Sequence, residues 1–357
     1  MRQASIVGLT LLAVIAFSEI SDSAPVYSED FEIDPTVNWV VNSGPFQDLG
    51  DNTANFFFDY STVGIPLAPN SKSGGSRGLN LQANQDVTSD GIGVPPITGI
   101  SVSPLGQDFS GLNSFRLKFD LWQSFPGPFP QGSNGTTQLS TFGIGTSGNF
   151  SNYPGSIDGV VFAASTDGGS SADFRAYSSE RAVSYQLPVD PSIVDGDGNP
   201  VDGHATFYAG SRSNSAALYA DHFGGVAAPP EQLALYPQQA GVTALGATGM
   251  AWHEVEITKL DNFITWSVDQ VVLASVDIEN LVVPLGGGNI LFGHADINGV
   301  ASTDPLRFEL LFSLVDNIEV TAIPEPHTLG IASIGIGLTA WGRIFRRRRF
   351  GSSSCVD

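Results

Sequence analysis

Two glutamates in one short segment are the residues best placed for acid–base chemistry. Glu254 and Glu256 stand two positions apart in WHEVEI, so on a strand their side chains would share a face, about 6–7 Å apart. A retaining glycosidase needs two carboxylates about 5–5.5 Å apart across the scissile bond. The alternative is a solvated surface opposite the apolar residues Val255 and Ile257. We favour the surface, and we predict no catalytic residue in this protein.

Histidine and cysteine suggest no second catalytic chemistry. The central region holds His204, His222, His253 and His294, which are scattered without the spacing of zinc ligands. No Ser-His-Asp set can be assembled from these positions. The single cysteine, Cys355, excludes an intramolecular disulfide.

A calcium loop is a further candidate site. In DGDGNPVDGH, acidic or amide side chains recur at alternate positions, which is how a calcium loop surrounds its ion with oxygen ligands. The candidate ligands are Asp195, Asp197, Asn199 and Asp202. The EF-hand pattern fails at its sixth position, Pro200, and at its twelfth, Thr206. An ordinary Asp/Gly turn is the alternative.

Trp122 is the candidate for contact with a sugar. It falls on the polar face of its segment, beside Arg116, Lys118 and Asp120, and just before the sequence FPGPF. An exposed aromatic ring among polar groups can stack on a sugar. The alternative is that Trp122 packs under the proline-rich loop.

The elements that would carry these residues are strands. Phe115, Leu117, Phe119 and Leu121 alternate with polar residues, a period of two that predicts a strand with one buried face. Further alternating segments are 263–268 and 271–276, joined by Asp269-Gln270 in a predicted hairpin, and the set Phe308, Leu310, Phe312 and Leu314. No segment shows a helical period of ordinary length. The pattern predicts an all-β protein with a single sandwich domain over residues 26–321.

Charge excludes one class of partner. The formal net charge is −21, and between Val26 and Ile323 there are 32 acidic and 9 basic residues, a net charge of −23. Such a surface repels nucleic acid and attracts cations. We therefore expect no nucleic-acid partner.

Both ends of the chain carry export signals. Residues 1–23 combine Arg2, an uncharged apolar stretch and small residues at cleavage positions, as a secretory signal peptide does. Residues 328–345 form an apolar stretch of 18 residues, about 27 Å long as a helix and close to the thickness of a bilayer core. It is followed by Arg346, Arg347, Arg348 and Arg349. The positive-inside rule keeps these arginines cytoplasmic and places the body outside.

The C-terminal segment resembles a known sorting signal. Pro324, Glu325 and Pro326, then the apolar stretch, then the arginines, make residues 322–357 similar to the PEP-CTERM signal of Gram-negative bacteria. That resemblance implies an exosortase-type membrane protease as a partner, an inner-membrane intermediate, and a final place at the cell surface or outside the cell. A GPI-type signal is the alternative, and the arginines after the apolar stretch argue against it.

The body resembles concanavalin A-like, laminin-G-type jelly rolls. The resemblance lies in SGGSRGLNLQAN, FRLKFDLW, the segment from Trp252 to Asp277, and the closing DNIEV. It implies adjacent first and last strands with a calcium ion between them, held here by Glu29, Glu32 and Asp316. Glucanases of this fold carry Glu-x-Asp-x-x-Glu, whereas Ile257, Thr258 and Lys259 follow Glu256. The third carboxylate is therefore missing.

These observations favour an exported, non-catalytic surface or extracellular protein that binds polysaccharide. Two alternatives stay open at this point. One is a glycan hydrolase or lyase of the same fold, and the other is a purely structural matrix protein without a ligand.

Overall fold

The computed structural model describes residues 24–44, 52–72, 74–85, 97–132, 136–154, 156–170, 172–178, 190–194, 200–201, 206–281, 283–298 and 301–324. The predicted signal peptide, the membrane-spanning stretch and the arginine tail lie outside the described residues, as do Asp195, Asp197, Asn199, Asp202, Glu325 and Pro326. Those predictions therefore remain predictions.

Strands dominate the described part of the chain. In chain order they are Tyr27–Glu29 (β1), Trp39–Gly44 (β2), Thr53–Asp59 (β3), Arg77–Gln82 (β4), Thr98–Pro104 (β5), Phe115–Ser124 (β6), Gln138–Thr146 (β7), Val160–Ser165 (β8), Phe174–Ser178 (β9), Asp190–Val194 (β10), Pro200–Val201 (β11), Thr206–Tyr208 (β12), Trp252–Leu260 (β13), Phe263–Val268 (β14), Val271–Asp277 (β15), Asn289–Asp296 (β16) and Phe312–Ala322 (β17). The described α-helices are short: Ala217–Ala220 (α1), Pro230–Leu235 (α2) and Arg307–Leu310 (α3). Single 3₁₀ turns span Thr36–Asn38, Tyr60–Val63, Pro237–Gln239 and Ile278–Asn280.

Two antiparallel sheets pack as a jelly-roll-like sandwich, which confirms the predicted all-β class. Among the described strands, the larger sheet has the order β12-β15-β14-β13-β6-β17-β4-β3, and β1 also pairs with β17. The smaller sheet has the order β2-β5-β16-β7-β8-β9. Neighbours in these sheets are often far apart in sequence, so the layout depends on long-range pairing.

The core lies between the two sheets and follows the predicted alternation. Phe115, Leu117, Phe119 and Leu121 are all buried on one face of β6. The Phe119 ring meets Phe142 of the smaller sheet in an edge contact with the ring centroids 5.3 Å apart. Aromatic contacts of this kind add stability beyond the area they bury.

The hairpin and the terminal pairing form as predicted. Strands β14 and β15 pair around Asp269 and Gln270, whose φ angles of 48° and 69° are those of a type I′ turn. Tyr27 of β1 lies opposite Val320 of β17, so the first and last described strands are neighbours.

One predicted strand is wrong at its start. Phe308 and Leu310 belong to the helical turn α3, and the strand begins only at Phe312. The backbone N–H groups of Leu310 and Leu311 donate to the carbonyls of Leu306 and Arg307, as in a helix. The alternation of apolar residues in this segment was therefore accidental, because a helical turn takes up its first half.

No helix within the described ranges is long and apolar enough to cross a membrane.

Candidate functional site

Three carboxylates form a row across the outer face of the larger sheet. Glu254 of β13 lies opposite Asp120 of β6, and Asp120 lies opposite Asp316 of β17. Directly opposed residues on neighbouring strands point to the same face, with Cβ atoms about 4.5–5.5 Å apart. Asp120 and Asp316 are 0% and 1% exposed, whereas Glu254 is only partly buried. One acid of the row can therefore reach solvent, and two cannot.

A β-bulge in β17 shapes this region. The register between β17 and β6 shifts between Asp316 and Glu319, and Asn317 has a φ of 52°, an uncommon conformation for a residue other than glycine. The bulge brings the Asn317 side chain to the same face of the sheet as Asp120. Its Nδ2 donates to Asp120 Oδ2 at 2.8 Å. The Asn317 backbone N–H donates to Asp316 Oδ1 at 2.7 Å. Bulges often redirect a side chain in this way.

The loop after the turn at Tyr60 covers the two buried acids. Asn70 donates to Asp120 through its backbone N–H at 3.1 Å and through Nδ2 at 2.7 Å. Tyr60 Oη lies 3.1 Å from Asp316 Oδ2 and 3.2 Å from the carbonyl oxygen of Gly75. Every oxygen of the two buried carboxylates therefore has a hydrogen-bond partner.

A polar cleft of about 320 Å³ opens beside this covered region. Its lining includes Ser28, Glu29, Asp30, Asn70, Lys72, Lys118, Glu254, Asn317 and Glu319. The chain has three lysines, and two of them line this cleft. Lys118 Nζ lies 2.8 Å from Glu254 Oε2, and Lys72 forms an ion pair with Glu319. The cleft thus offers alternating hydrogen-bond donors and acceptors.

Burial changes the protonation of the acids beneath the cleft. Removal from water raises the pKa of Asp316 to about 8, and the neighbouring charges of Asp120 and Glu32 add to the rise. Burial also raises the pKa of Asp120, while hydrogen bonds from Asn317 and Asn70 oppose that rise. At neutral pH, Asp316 therefore carries a proton in the folded protein.

This arrangement does not suit acid–base catalysis. The carboxyl group with the strongly shifted pKa, Asp316, is sealed from the cleft, and the accessible Glu254 is paired with Lys118. Glu256, on the same face, accepts a hydrogen bond from Thr258 at 2.8 Å. A general acid or base must reach the proton it transfers. The surface role that we predicted for Glu254 and Glu256 agrees with these contacts.

The ligand set predicted for calcium between the chain ends does not assemble. Glu29 accepts from the Phe31 backbone N–H at 2.9 Å, and Glu32 accepts from that of Arg77 at 3.1 Å. Both oxygens of Asp316 have partners inside the protein. Across the described ranges, no three acidic, histidine or cysteine side chains are grouped closely enough to hold a metal ion. The expectation for Glu29, Glu32 and Asp316 is wrong for this conformation, because the three side chains are not grouped as metal ligands and both oxygens of Asp316 are already hydrogen-bonded within the protein.

Trp122 is not placed to contact a sugar. Its side chain is 1% exposed and packs against Trp252, with the ring centroids 5.7 Å apart. The cover over this part of the sheet includes Phe125 and Phe129 of the proline-rich loop. The sugar-stacking role is therefore wrong, and the alternative of packing under that loop is correct.

A serine–histidine pair lies in the core, and neither residue lines the cleft described above. His294 Nδ1 is 2.5 Å from Ser313 Oγ, and its Nε2 is 2.6 Å from Gln138 Oε1. Ser313 also bonds to Ser140, which accepts from Gln123 Nε2 at 2.7 Å. His294 is 0% exposed, and burial lowers its pKa to about 3. The pair links the two sheets through a buried polar network and cannot meet a substrate.

Comparisons with known proteins add no family. The sequence matches no protein-family model and no curated protein. Similar solved structures include a galectin-like-fold protein of unknown function from Bacillus subtilis (TM-score 0.42, 7% identity, 84% of this chain and 97% of that one). Others are the potassium-bound Emp46p carbohydrate recognition domain (0.38, 12%, 83% and 95%) and an endo-1,3-beta-glucanase from Streptomyces sioyaensis (0.37, 13%, 85% and 97%). The fold described above rests on the strand pairing itself.

The residues that organise this site were not predicted from the sequence. Asp120 appeared only as one polar position of an alternating strand, and Asn70 and Asn317 carried no pattern. One feature of the sequence could have pointed to Asp120. It is the acidic residue on the outer face of a strand whose other outer positions are Arg116, Lys118 and Trp122. Its partners are distant in the chain, so only strand pairing reveals them.

Proposed function

We propose that this protein is an exported, non-catalytic surface or extracellular-matrix protein whose concanavalin A-like sandwich binds neutral glycans in the cleft over β1, β6, β13 and β17. The observation that carries the proposal is the cleft's lining of paired donors and acceptors above two sealed carboxylates. A sugar hydroxyl both donates and accepts hydrogen bonds, so it matches lysine and asparagine donors set beside carboxylate acceptors.

The charge of the cleft supports a neutral ligand. Its lining has four acidic residues, Glu29, Asp30, Glu254 and Glu319, against Lys72 and Lys118, which is a net charge of −2. An acidic polysaccharide would meet repulsion there and from the net charge of −21 of the whole chain. A hydrolase or lyase is less well supported, because the third carboxylate of the glucanase pattern is missing after Glu256.

Filling the cleft should abolish glycan binding. Ser28 is exposed on β1 and lines the cleft, so Ser28→Trp would occupy the space without removing a hydrogen bond of the buried network. On an array of neutral and acidic glycans, we expect the full-length protein to bind neutral oligosaccharides. Ser28→Trp should bind them at least about tenfold more weakly, which is a loss of roughly 1.4 kcal/mol of binding free energy. Ser147→Trp, the same change at an exposed serine outside the cleft lining, is the matched control and should bind normally. Absence of binding by the unmodified protein would favour the purely structural alternative.

Export and processing are the second part of the proposal. The support is in the sequence: a signal peptide at 1–23, the motif Pro324-Glu325-Pro326, the stretch 328–345 and the arginines. We propose an inner-membrane intermediate that an exosortase-type protease cleaves near the motif. The mature protein then lies at the cell surface or outside the cell.

Mass spectrometry of the extracellular protein tests this processing. In a host with such a protease, we expect the mature chain to lack Cys355 and the four arginines, because cleavage near Pro324 removes everything after it. Recovery of the intact C-terminal peptide from secreted material would contradict the sorting proposal. A host without the protease is the control, and there the full C-terminus should remain with the membrane.

Calcium binding is the finer part of the proposal, and it rests on the Asp195–Asp202 loop alone. Its oxygen-bearing side chains alternate as calcium ligands do, and the acidic body attracts cations.

A further inference from the structure

We propose that Asp120 is the positioning residue of the cleft. It holds the side-chain amides of Asn70 and Asn317 so that their oxygen atoms face the ligand. These oxygens select ligands that donate hydrogen bonds from hydroxyl groups. This inference rests on the proposed function, and it adds the residue and the chemistry that would set specificity.

The orientation of both amides follows from the groups they contact. Asn70 Nδ2 lies 2.7 Å from Asp120 Oδ1 and 3.4 Å from Glu254 Oε2. Asn317 Nδ2 lies 2.8 Å from Asp120 Oδ2. A carboxylate only accepts hydrogen bonds, so the NH₂ group of each asparagine must point inward. The amide oxygens then point away from Asp120.

Asp120 is surrounded by hydrogen-bond donors in this arrangement. The Asn70 backbone N–H, which can only donate, lies 3.1 Å from Asp120 Oδ2. Together with the two amide groups, it gives the buried carboxylate three donors. Three hydrogen bonds to the charged form offset part of the cost of burying it. The side chain is 0% exposed, so its contribution to the cleft is indirect.

The two amide oxygens are free for a ligand. Within the described part of the chain, Asn70 and Asn317 engage protein groups through their nitrogen atoms, and neither Oδ1 accepts a hydrogen bond. Both residues line the cleft, as do the acceptor groups of Glu254 and Glu319. The two amide oxygens thus add unpaired acceptors to a cleft whose lysines are each already paired with a glutamate.

The two free amide oxygens define the ligand class. A neutral sugar offers several hydroxyl hydrogens and satisfies carbonyl and carboxylate oxygens together. A sulfate or a carboxylate offers acceptors only, so it would face the amide oxygens without donating a hydrogen bond to either of them. We therefore expect neutral glycans to bind in preference to their sulfated or uronate counterparts.

The experiment uses Asp120→Asn in the full-length protein, with Asp108→Asn as the matched control. The asparagine side chain introduced by Asp120→Asn keeps the shape of aspartate but presents an NH₂ group, so at least one neighbouring asparagine must turn over. Asp108 is an exposed aspartate that accepts from the Ser110 backbone N–H at 2.9 Å, and it lies outside the cleft lining. The same charge change is thereby made at both sites.

The first measurement needs no glycan. In nitrogen-15 spectra of the unmodified protein, we expect slow hydrogen exchange at the side-chain NH₂ groups of Asn70 and Asn317, assigned with Asn70→Ser and Asn317→Ser. Asp120→Asn should shift and deprotect at least one of them, whereas Asp108→Asn should leave both unchanged. Two fast-exchanging NH₂ groups in the unmodified protein would overturn the positioning role, even if glycans bind.

The second measurement is the affinity for printed neutral oligosaccharides and for their sulfated and uronate forms. Asp120→Asn should weaken neutral binding about ten- to a hundredfold, since one or two hydrogen bonds of roughly 1.5 kcal/mol are lost, and it should reduce the preference over acidic glycans. Asp108→Asn should bind normally. Equal binding by Asp120→Asn overturns the proposal.

Absence of binding by every variant would contradict the proposed function while the NH₂ signals still test the positioning. If Asp120→Asn does not fold, Asn70→Ala must show the same loss of neutral binding while the Asn317 NH₂ group stays protected.

Discussion

Replacing Asp316 with asparagine should make the protein more stable at pH 7, by an amount on the order of 4 kcal/mol. Burial raises the pKa of Asp316 to about 8 in the folded protein, against about 3.9 for an unfolded aspartate. Between these values the folded state holds a proton that the unfolded state has released. The stability contributed by Asp316 is therefore complete below pH 4 and is lost as the pH rises through 8, at about 1.4 kcal/mol per pH unit.

The asparagine introduced by Asp316→Asn should reproduce the contacts of the protonated acid. A protonated Asp316 can donate to Tyr60 Oη, while Tyr60 donates to the carbonyl oxygen of Gly75. The amide NH₂ group of the new side chain can make the same donation, and its amide oxygen can accept from the Asn317 backbone N–H. The variant therefore keeps its low-pH stability at every pH.

Chemical denaturation between pH 4 and pH 8.5 measures this effect. The curves of the unmodified protein and of Asp316→Asn should meet near pH 4 and diverge as the pH rises. Asp30→Asn removes the same charge at an exposed position and is the control. Its curve should not diverge from that of the unmodified protein. The same series with millimolar calcium and with a chelator tests whether Asp316 binds calcium. A calcium-dependent gain in stability that Asp316→Asn removes would contradict our interpretation of Asp316 as a protonated group.

Replacing His294 with glutamine should remove most of the acid sensitivity of the fold between pH 6.5 and about pH 4. Burial lowers the pKa of His294 to about 3, against about 6.5 in the unfolded chain. The unfolded state therefore binds a proton that the folded state excludes. The stability due to His294 is complete above pH 6.5 and falls by about 1.4 kcal/mol per pH unit as the pH decreases toward 3.

Burial is the cause of the lowered pKa of His294, and its hydrogen bonds show where a second proton would have to go. Gln138 Oε1 accepts from Nε2, so Nδ1 is the acceptor for the Ser313 hydroxyl. That hydroxyl is held in turn by Ser140 and Gln123 in the buried network. A second proton on Nδ1 would face the hydroxyl hydrogen and break the chain of hydrogen bonds.

Unfolding free energies at pH 6.5 and pH 4.5 measure the effect, and we expect the unmodified protein to lose about 2 kcal/mol more than His294→Gln over this interval. The difference between the two proteins cancels the opposing contribution of acids with a raised pKa, such as Asp173 at about 6. His222→Gln, at an exposed position, is the control and should follow the unmodified protein. Parallel curves for His294→Gln and the unmodified protein would show that His294 does not resist protonation.

The amino-acid sequence by itself determined the class of the fold and several of its elements. Alternation of apolar and polar residues marked β6 from Phe115 to Leu121, and Asp269-Gln270 marked the hairpin turn. These signals are local, because a strand reverses its side chains at every residue and a turn needs particular φ angles. The same local reasoning failed at Phe308, where a helical turn carries the alternating residues.

The tertiary structure alone decided the candidate site. Asp120, Asn70 and Asn317 come from distant parts of the chain and meet because β17 pairs with β6 and bulges at Asn317. The sequence left open whether Trp122 was exposed or packed under the proline-rich loop that follows it, and only the structure places Phe125 and Phe129 of that loop in one cluster with Trp122. Alternation tells which residues share a face. What lies opposite them and what closes over them depends on long-range pairing, which has no local signature.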